Sequence, residues 1–173
     1  MKELLVDKFD SPIGTIVSVV SDNKLIHLDF ADCQERLLRL LTHRYKQFKQ
    51  APTKNPLNIR DCLSAYFEKD WKSFNNIKLL TDGTEFQQTV WAELQRIPCG
   101  TTLSYAQLAS AIRKPKAVRA VANANARNPI ALIIPCHRVI AKNGALAGYA
   151  GGVHRKEWLL QHEKRAIHST SIL

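Results

Sequence analysis

The chain contains no apolar run near the roughly 20 residues that a membrane helix needs. Its first residues, Met1-Lys2-Glu3-Leu4-Leu5-Val6-Asp7, hold no apolar stretch of signal-peptide length. A cytoplasmic protein is expected. Cysteine is sparse: Cys33, Cys62, Cys99 and Cys136 lie far apart, with no C-x-x-C pair. That spacing argues against a secreted disulfide framework and a simple zinc finger. Free thiols in a reducing compartment fit it, and one of them is then open to special chemistry. Acidic residues are missing from a long stretch, with no Asp or Glu between Glu93 and Glu157.

The 173 residues suit one large domain or two small ones, and a hydrophobic content of 45% is ordinary for a globular chain. The formal net charge of +10 is uneven. Residues 1–83 carry 13 Lys/Arg against 11 Asp/Glu, whereas residues 84–173 carry 12 against 4. Ten of the basic residues, from Arg96 to Lys156, fall inside the acid-free gap. A surface of one charge sign attracts a polyanion, and nucleic acid is the usual one. Charge alone leaves open a soluble basic protein with no such partner.

The first part reads as a small α/β unit, an antiparallel sheet with helices, over residues 1–82. Strands are expected around Leu4–Phe9, at Thr15–Val20 and at Leu25–Phe30, with Ser21-Asp22-Asn23-Lys24 as turn chemistry. Leu37, Leu38, Leu40, Leu41 and Tyr45 have helical spacing, as do Ile59, Leu63, Tyr66 and Phe67. Ile77–Leu80 is a candidate returning strand. No catalytic constellation occurs in this part.

A boundary is expected at Thr81-Asp82-Gly83-Thr84, opening a mainly helical domain over 84–173. Thr84 and Gln87 have capping-box spacing before the stripe Phe86, Val90, Trp91 and Leu94. Ser104 caps a short helix that Arg113-Lys114-Pro115 breaks, and a second helix runs from about Lys116 to Ala126. Two short helices around a tight turn suggest a helix-turn-helix. The second helix is unusual for a major-groove reader, because alanines dominate and Arg119 is its one long reach. Major-groove readout needs several long polar side chains. Small residues instead allow close approach to a backbone or a narrow groove, or packing against the domain core.

Ile130-Ala131-Leu132-Ile133-Ile134 is short and apolar and reads as a buried strand. It leads into Pro135-Cys136-His137-Arg138. A hairpin turning at Lys142-Asn143-Gly144 is expected next, then the glycine-rich Gly148-Tyr149-Ala150-Gly151-Gly152 and a helix at Arg155–Glu163 with a loose tail from Lys164. Cys136 is the candidate nucleophile. Free cysteine has a pKa of about 8.5, and a neighbouring base or cation favours the reactive thiolate. His137 can take the proton, through a water, and a carboxylate can orient the imidazole. Glu163, one of four acids in this half, is the candidate. Taken alone, these residues leave open a buried structural thiol, the reading adopted for Cys99.

Ile134-Pro135-Cys136-His137-Arg138-Val139-Ile140 resembles the active-site signature of the O6-alkylguanine-DNA alkyltransferases. Phe86-Gln87-Gln88-Thr89-Val90-Trp91, Ile97-Pro98-Cys99-Gly100-Thr101, Ser104-Tyr105, Arg119-Ala120-Val121, Asn128-Pro129, Gly148–Gly152 and Lys156–Glu163 stand in the family's order and spacing. The resemblance covers roughly 84–163. The overall length is similar to that of stand-alone bacterial members.

The resemblance implies direct reversal of DNA damage. An alkyl group passes once, irreversibly, from O6-alkylguanine in double-stranded DNA to Cys136. It implies that His137 and Glu163 activate Cys136, that Asn128 braces the turn, and that Tyr105 donates a hydrogen bond to the leaving guanine. Arg119 would fill the gap left by the flipped nucleotide, with its helix in the minor groove. Ala120, Asn123 and Arg138 would join it on the DNA side. Val139, Tyr149 and Ala150 would line the base pocket, and Ala131 stands in its approach where some members have proline. A monomer is expected, and O4-alkylthymine is a second candidate substrate. No cofactor is needed, since the alkyl group arrives with the DNA. Some members carry a structural zinc; His27, Cys33, His43 and Cys62 supply ligand types but match no such pattern, so no metal is expected. Two rivals are a helix-turn-helix regulator without chemistry and a cysteine hydrolase using Cys136 and His137. The first predicts strong sequence preference. The second leaves the basic stretch without a purpose.

Overall fold

The computed structural model describes residues 1–146 and 148–171, with side chains up to Lys164. The chain divides into two compact units, Met1–Asp82 and Gly83–Leu173.

In the first unit, β1 (Lys2–Ser11), β2 (Gly14–Ser21) and β3 (Lys24–Phe30) form an antiparallel meander. Helix α1 (Gln34–Tyr45) follows, then β4 (Phe48–Pro52) and α2 (Ile59–Phe67). The sheet order is β3-β2-β1-β4. Strand β4 runs parallel to β1, pairing Lys2 with Phe48 and Val6 with Pro52, so the sheet is mixed rather than purely antiparallel. Phe48-Lys49-Gln50-Ala51-Pro52 has no β-branched residue and ends in proline, which is tolerated on an edge strand. Its backbone pairing, not its side chains, makes it a strand. Ile77–Leu80 contributes only a bridge from Leu79 to Leu25. Leu4, Val17, Val19, Ile26, Leu37 and Leu41 form one core cluster.

The second unit begins with α3 (Glu85–Leu94), whose capping box joins Thr84 and Gln87 in both directions. A second capping box, Ser104 with Gln107, opens α4 (Tyr105–Ala111) after the two-residue strand β5 (Leu103–Ser104). Arg113 ends α4 in a left-handed conformation, φ 61°. Its N–H donates to the Ser110 carbonyl and the Lys114 N–H to the Ala109 carbonyl, a Schellman stop. Helix α5 (Val118–Ala126) packs on α3 and α4. The Trp91 indole N–H donates to the Ala124 carbonyl at 2.9 Å and ties α5 to α3.

The apolar run Ile130–Ile134 is not a strand. It coils as a turn, with Leu132 at φ 69° and the Ile134 N–H on the Ile130 carbonyl. Asn128 clamps both ends of this turn: its Nδ2 donates to the Ile134 carbonyl at 2.7 Å, and its Oδ1 accepts from the Ile130 N–H at 3.0 Å. Cys136 therefore opens a single 3-10 turn, Cys136–Arg138, instead of ending a strand. Among the described residues the expected hairpin does not form. Strand β6 (Val139–Ile140) pairs in parallel with β5, and only the turn at 141–145 forms. Helix α6 (Val153–Ser171) continues past Lys164, where a loose tail was expected. Lys164-Arg165-Ala166 contains no helix breaker.

Among the described residues, no helix is long and apolar enough to cross a membrane. Among them, too, no group of three His, Cys, Asp or Glu side chains is placed to hold a metal. His27 is sealed inside the first unit; burial, then the charge of Arg36, pushes its pKa down to about 3.

Candidate active site

Cys136 is 7% exposed, and His137 and Glu163 are fully buried behind it. The 3-10 turn presents His137 to α6, where Glu163 sits on the buried stripe with Lys156 and Leu159. His137 Nε2 lies 2.7 Å from Glu163 Oε1. Burial opposes ionisation of Glu163. The charge and hydrogen bond of His137, with those of Arg138, outweigh it and hold the carboxyl far below the usual carboxylate range. An ionised carboxylate only accepts, so Nε2 carries the hydrogen and Nδ1 is the basic lone pair. Nδ1 is buried and, among the described residues, meets no hydrogen-bond donor or acceptor.

Arg138 is half-buried and its guanidinium is engaged within the second unit. Its Nε donates to Glu163 Oε2 and its Nη2 to Oε1, both at 2.9 Å, while Nη1 donates to the Ile97 carbonyl at 2.7 Å. A fork of this geometry matches a carboxylate in a way that one exposed phosphate contact does not replace. Arg138, expected on the DNA side, is held in the half-buried cluster around Glu163. Its sequence position, two residues after Cys136, suggested a surface cation. Only the packing of α6 brings Glu163 under it.

Three more groups meet near Cys136. The Tyr105 hydroxyl, at the first turn of α4, has its pKa raised by burial and by the charge of Cys136. Lys156 is buried, and burial lowers its pKa while the Cys136 charge opposes that change. Lys156 was missed as a site residue. The available signal was a Lys and a Glu seven residues apart on the same apolar stripe of one helix. Asn125, also missed, projects from α5, with Nδ2 3.5 Å from the Cys136 carbonyl oxygen.

The loop 148–152 passes over Tyr105: a Cβ at Gly148 would lie 3.5 Å from its hydroxyl. Arg155 Nη1 donates to the Gly151 carbonyl at 3.1 Å and anchors the loop that carries Tyr149 and Ala150. Val139 is fully buried beside the nucleophile turn, Tyr149 is half-buried and Ala150 is exposed. On α5, Arg119, Ala120 and Asn123 are exposed, whereas Val121, Ala124 and Asn125 are buried. The alanines thus divide between the core and an open face. Cys99, by contrast, is a poor nucleophile: burial and the Glu163 charge push its thiol up to about 12, against the opposing effect of Arg138.

The site therefore brings together a thiol, an imidazole paired with a carboxylate and the Tyr105 hydroxyl. The family model for the DNA-binding domain of 6-O-methylguanine DNA methyltransferase matches residues 85–165. A methylated-DNA–protein-cysteine methyltransferase of Salmonella typhimurium is 40% identical over 166 residues, 94% of this chain and 97% of that protein. The Methanosarcina barkeri protein of the same name is 43% identical over 93% of this chain and 98% of its own length. Among solved structures, the O6-methylguanine methyltransferase of Mycobacterium tuberculosis aligns with a TM-score of 0.81 at 39% identity, covering 94% of both chains. A structure of the Mycobacterium tuberculosis protein in complex with DNA aligns with a TM-score of 0.78 at 37% identity, again over 94% of both. With full-length relatives at this identity and the thiol–imidazole–carboxylate site in place, the chain belongs to the methylated-DNA–protein-cysteine methyltransferase family.

Proposed function

We propose that this chain repairs DNA by direct reversal, moving an alkyl group, methyl above all, from O6 of guanine in duplex DNA to Sγ of Cys136. The observation that carries this reading is the buried His137–Glu163 couple, clamped by Arg138, directly behind a nearly buried thiol. The thiol proton passes through a water to His137 Nδ1, and Glu163 stabilises the imidazolium. The sulfur lone pair forms the new S–C bond as the C–O6 bond breaks, and that bond's electron pair stays on the guanine. The Tyr105 hydroxyl donates to the departing base, whose developing negative charge makes a placed donor effective. The proton given up by the thiol ends on the guanine. Lys156, near the sulfur, favours the thiolate electrostatically.

The product is a thioether, which water does not reopen, so each chain acts once. The reacting atom is inside the base stack, so the nucleotide must leave the duplex first. Arg119, exposed on α5, would occupy the gap, with Ala120 and Asn123 along the minor groove and α4–α5 acting as a helix-turn-helix. The small exposed residues of α5 support that close approach. Val139, Tyr149 and Ala150 would line the pocket, and O4-alkylthymine is a second base that it could admit. The chain would work as a cytoplasmic monomer without a cofactor.

Replacing Cys136 by Ala tests the division of labour. The variant should lose all transfer from an O6-methylguanine duplex while keeping its affinity for that duplex in a mobility-shift titration. Residual transfer by Cys136→Ala would contradict the assignment of the nucleophile.

A further inference from the structure

The start of α6 carries charge of the wrong sign for a helix. Its first turn holds no acidic residue and places Arg155 there instead. The N-terminus is the positive end of a helix, so a cation there is disfavoured. Burial disfavours it further, and Arg155 is only 8% exposed. Both effects oppose this residue, so its role lies in what it holds. The guanidinium turns back along the chain, and Nη1 donates to the Gly151 carbonyl at 3.1 Å. The Lys156 N–H donates to the Gly152 carbonyl at 3.2 Å, and the Gly152 N–H to the Tyr149 carbonyl at 3.0 Å. Loop 148–152 is thus fixed to α6 at its C-terminal end. At its other end, Gly148 takes a φ of 75°, and its backbone passes so close over Tyr105 that a Cβ would lie 3.5 Å from the hydroxyl. The loop therefore runs from the Tyr105 hydroxyl to the Arg155 guanidinium.

We propose that Arg155 limits the size of the alkyl group that the site accepts, by holding loop 148–152 down against Tyr105. This rests on the reading of Cys136 as the alkyl acceptor, with Tyr149 and Ala150 as walls of its pocket. A base that brings O6 to the sulfur carries its alkyl group into the space that the loop covers. A methyl group leaves the loop where it is. A benzyl group needs the loop to lift, because the loop already lies close against Tyr105. Gly148 and Gly152, both at positive φ, bracket the loop and give the backbone that freedom. Lifting separates the Gly151 carbonyl from the guanidinium and leaves a buried charged donor unmet. An interaction that the large substrate breaks and the small one keeps discriminates between them by its own worth. A hydrogen bond from a charged group suffices for about a tenfold preference. Arg155 exerts this effect without touching the substrate, so it is a positioning residue.

The test compares single-turnover rates of transfer from duplexes carrying O6-methylguanine or O6-benzylguanine. The wild-type chain should favour methyl. Arg155→Met keeps an apolar stem and removes every donor, so it should raise the benzyl-to-methyl rate ratio about tenfold, mostly through faster benzyl transfer. Arg155→Lys keeps the charge and a donor in case methionine misfolds, and its ratio should fall between those of wild type and Arg155→Met. Both rates falling in proportion would make Arg155 merely structural and overturn the proposal, as would an unchanged or a lower ratio. Wild-type protein that transfers from neither base would instead remove the underlying reading of Cys136.

Discussion

A carboxylate with no exposed surface is costly unless its charge is answered on the spot. Glu163 is answered twice, by His137 on one oxygen and by the Arg138 fork on both. This arrangement fixes the imidazole tautomer and leaves Nδ1 as the base on the side away from the carboxylate. Replacing Glu163 by Gln keeps the shape but removes the charge that stabilises the imidazolium. Transfer measured by rapid quench should slow by about 10²-fold, with little change in affinity for the alkylated duplex. An unchanged rate would remove Glu163 from the relay. The pairing of His137 with Glu163 was legible in the sequence, because a thiol, an imidazole and a scarce acid suffice to suggest it. The place of Arg138 was not. A cation beside a nucleophile in a basic stretch reads as a phosphate contact, whereas its fork on Glu163 depends on the packing of α6. Lys156 and Asn125 were hidden for the same reason: burial of a polar side chain is a tertiary fact.

Among the elements, the helices were the readable part. The capping pairs Thr84–Gln87 and Ser104–Gln107 begin α3 and α4, and Pro115 follows the Arg113 stop. Strand β4 and the 130–134 turn were not readable, since each contradicts its local pattern. The first lacks strand formers but finds an open edge on β1. The second is made of strand formers but is folded back by one side chain, Asn128. This gives a direct test at the element scale. Asn128→Ala removes two buried hydrogen bonds and leaves a carbonyl and an N–H unpaired, so urea denaturation should show a loss of about 2 kcal/mol. Transfer should also slow, because the turn sets the position of Cys136. A variant of unchanged stability and rate would mean that the turn holds without its clamp.

At the scale of the whole molecule, the dominant feature is the acid-free basic stretch of the second half. The structure leaves Arg113, Lys116, Arg119 and Arg127 exposed around α4 and α5. If these meet phosphates, affinity for duplex DNA should fall steeply as salt rises, through release of bound counterions. Lys116→Ala should reduce the slope of log affinity against log salt by about one and weaken all sequences alike. A slope that does not change would place Lys116 off the DNA. The uneven charge was plain in the sequence, but its use was not. A basic face serves any polyanion, and only the buried thiol site narrows it to a damaged base.

The most direct measurement is mass spectrometry of the intact protein and its peptides after incubation with duplex DNA carrying one O6-methylguanine. The account predicts a gain of one methyl mass, on the peptide that holds Cys136, stopping at one per chain however much DNA is added. Binding to the duplex with no gain in mass, or a methyl group on Cys99 instead, would contradict it.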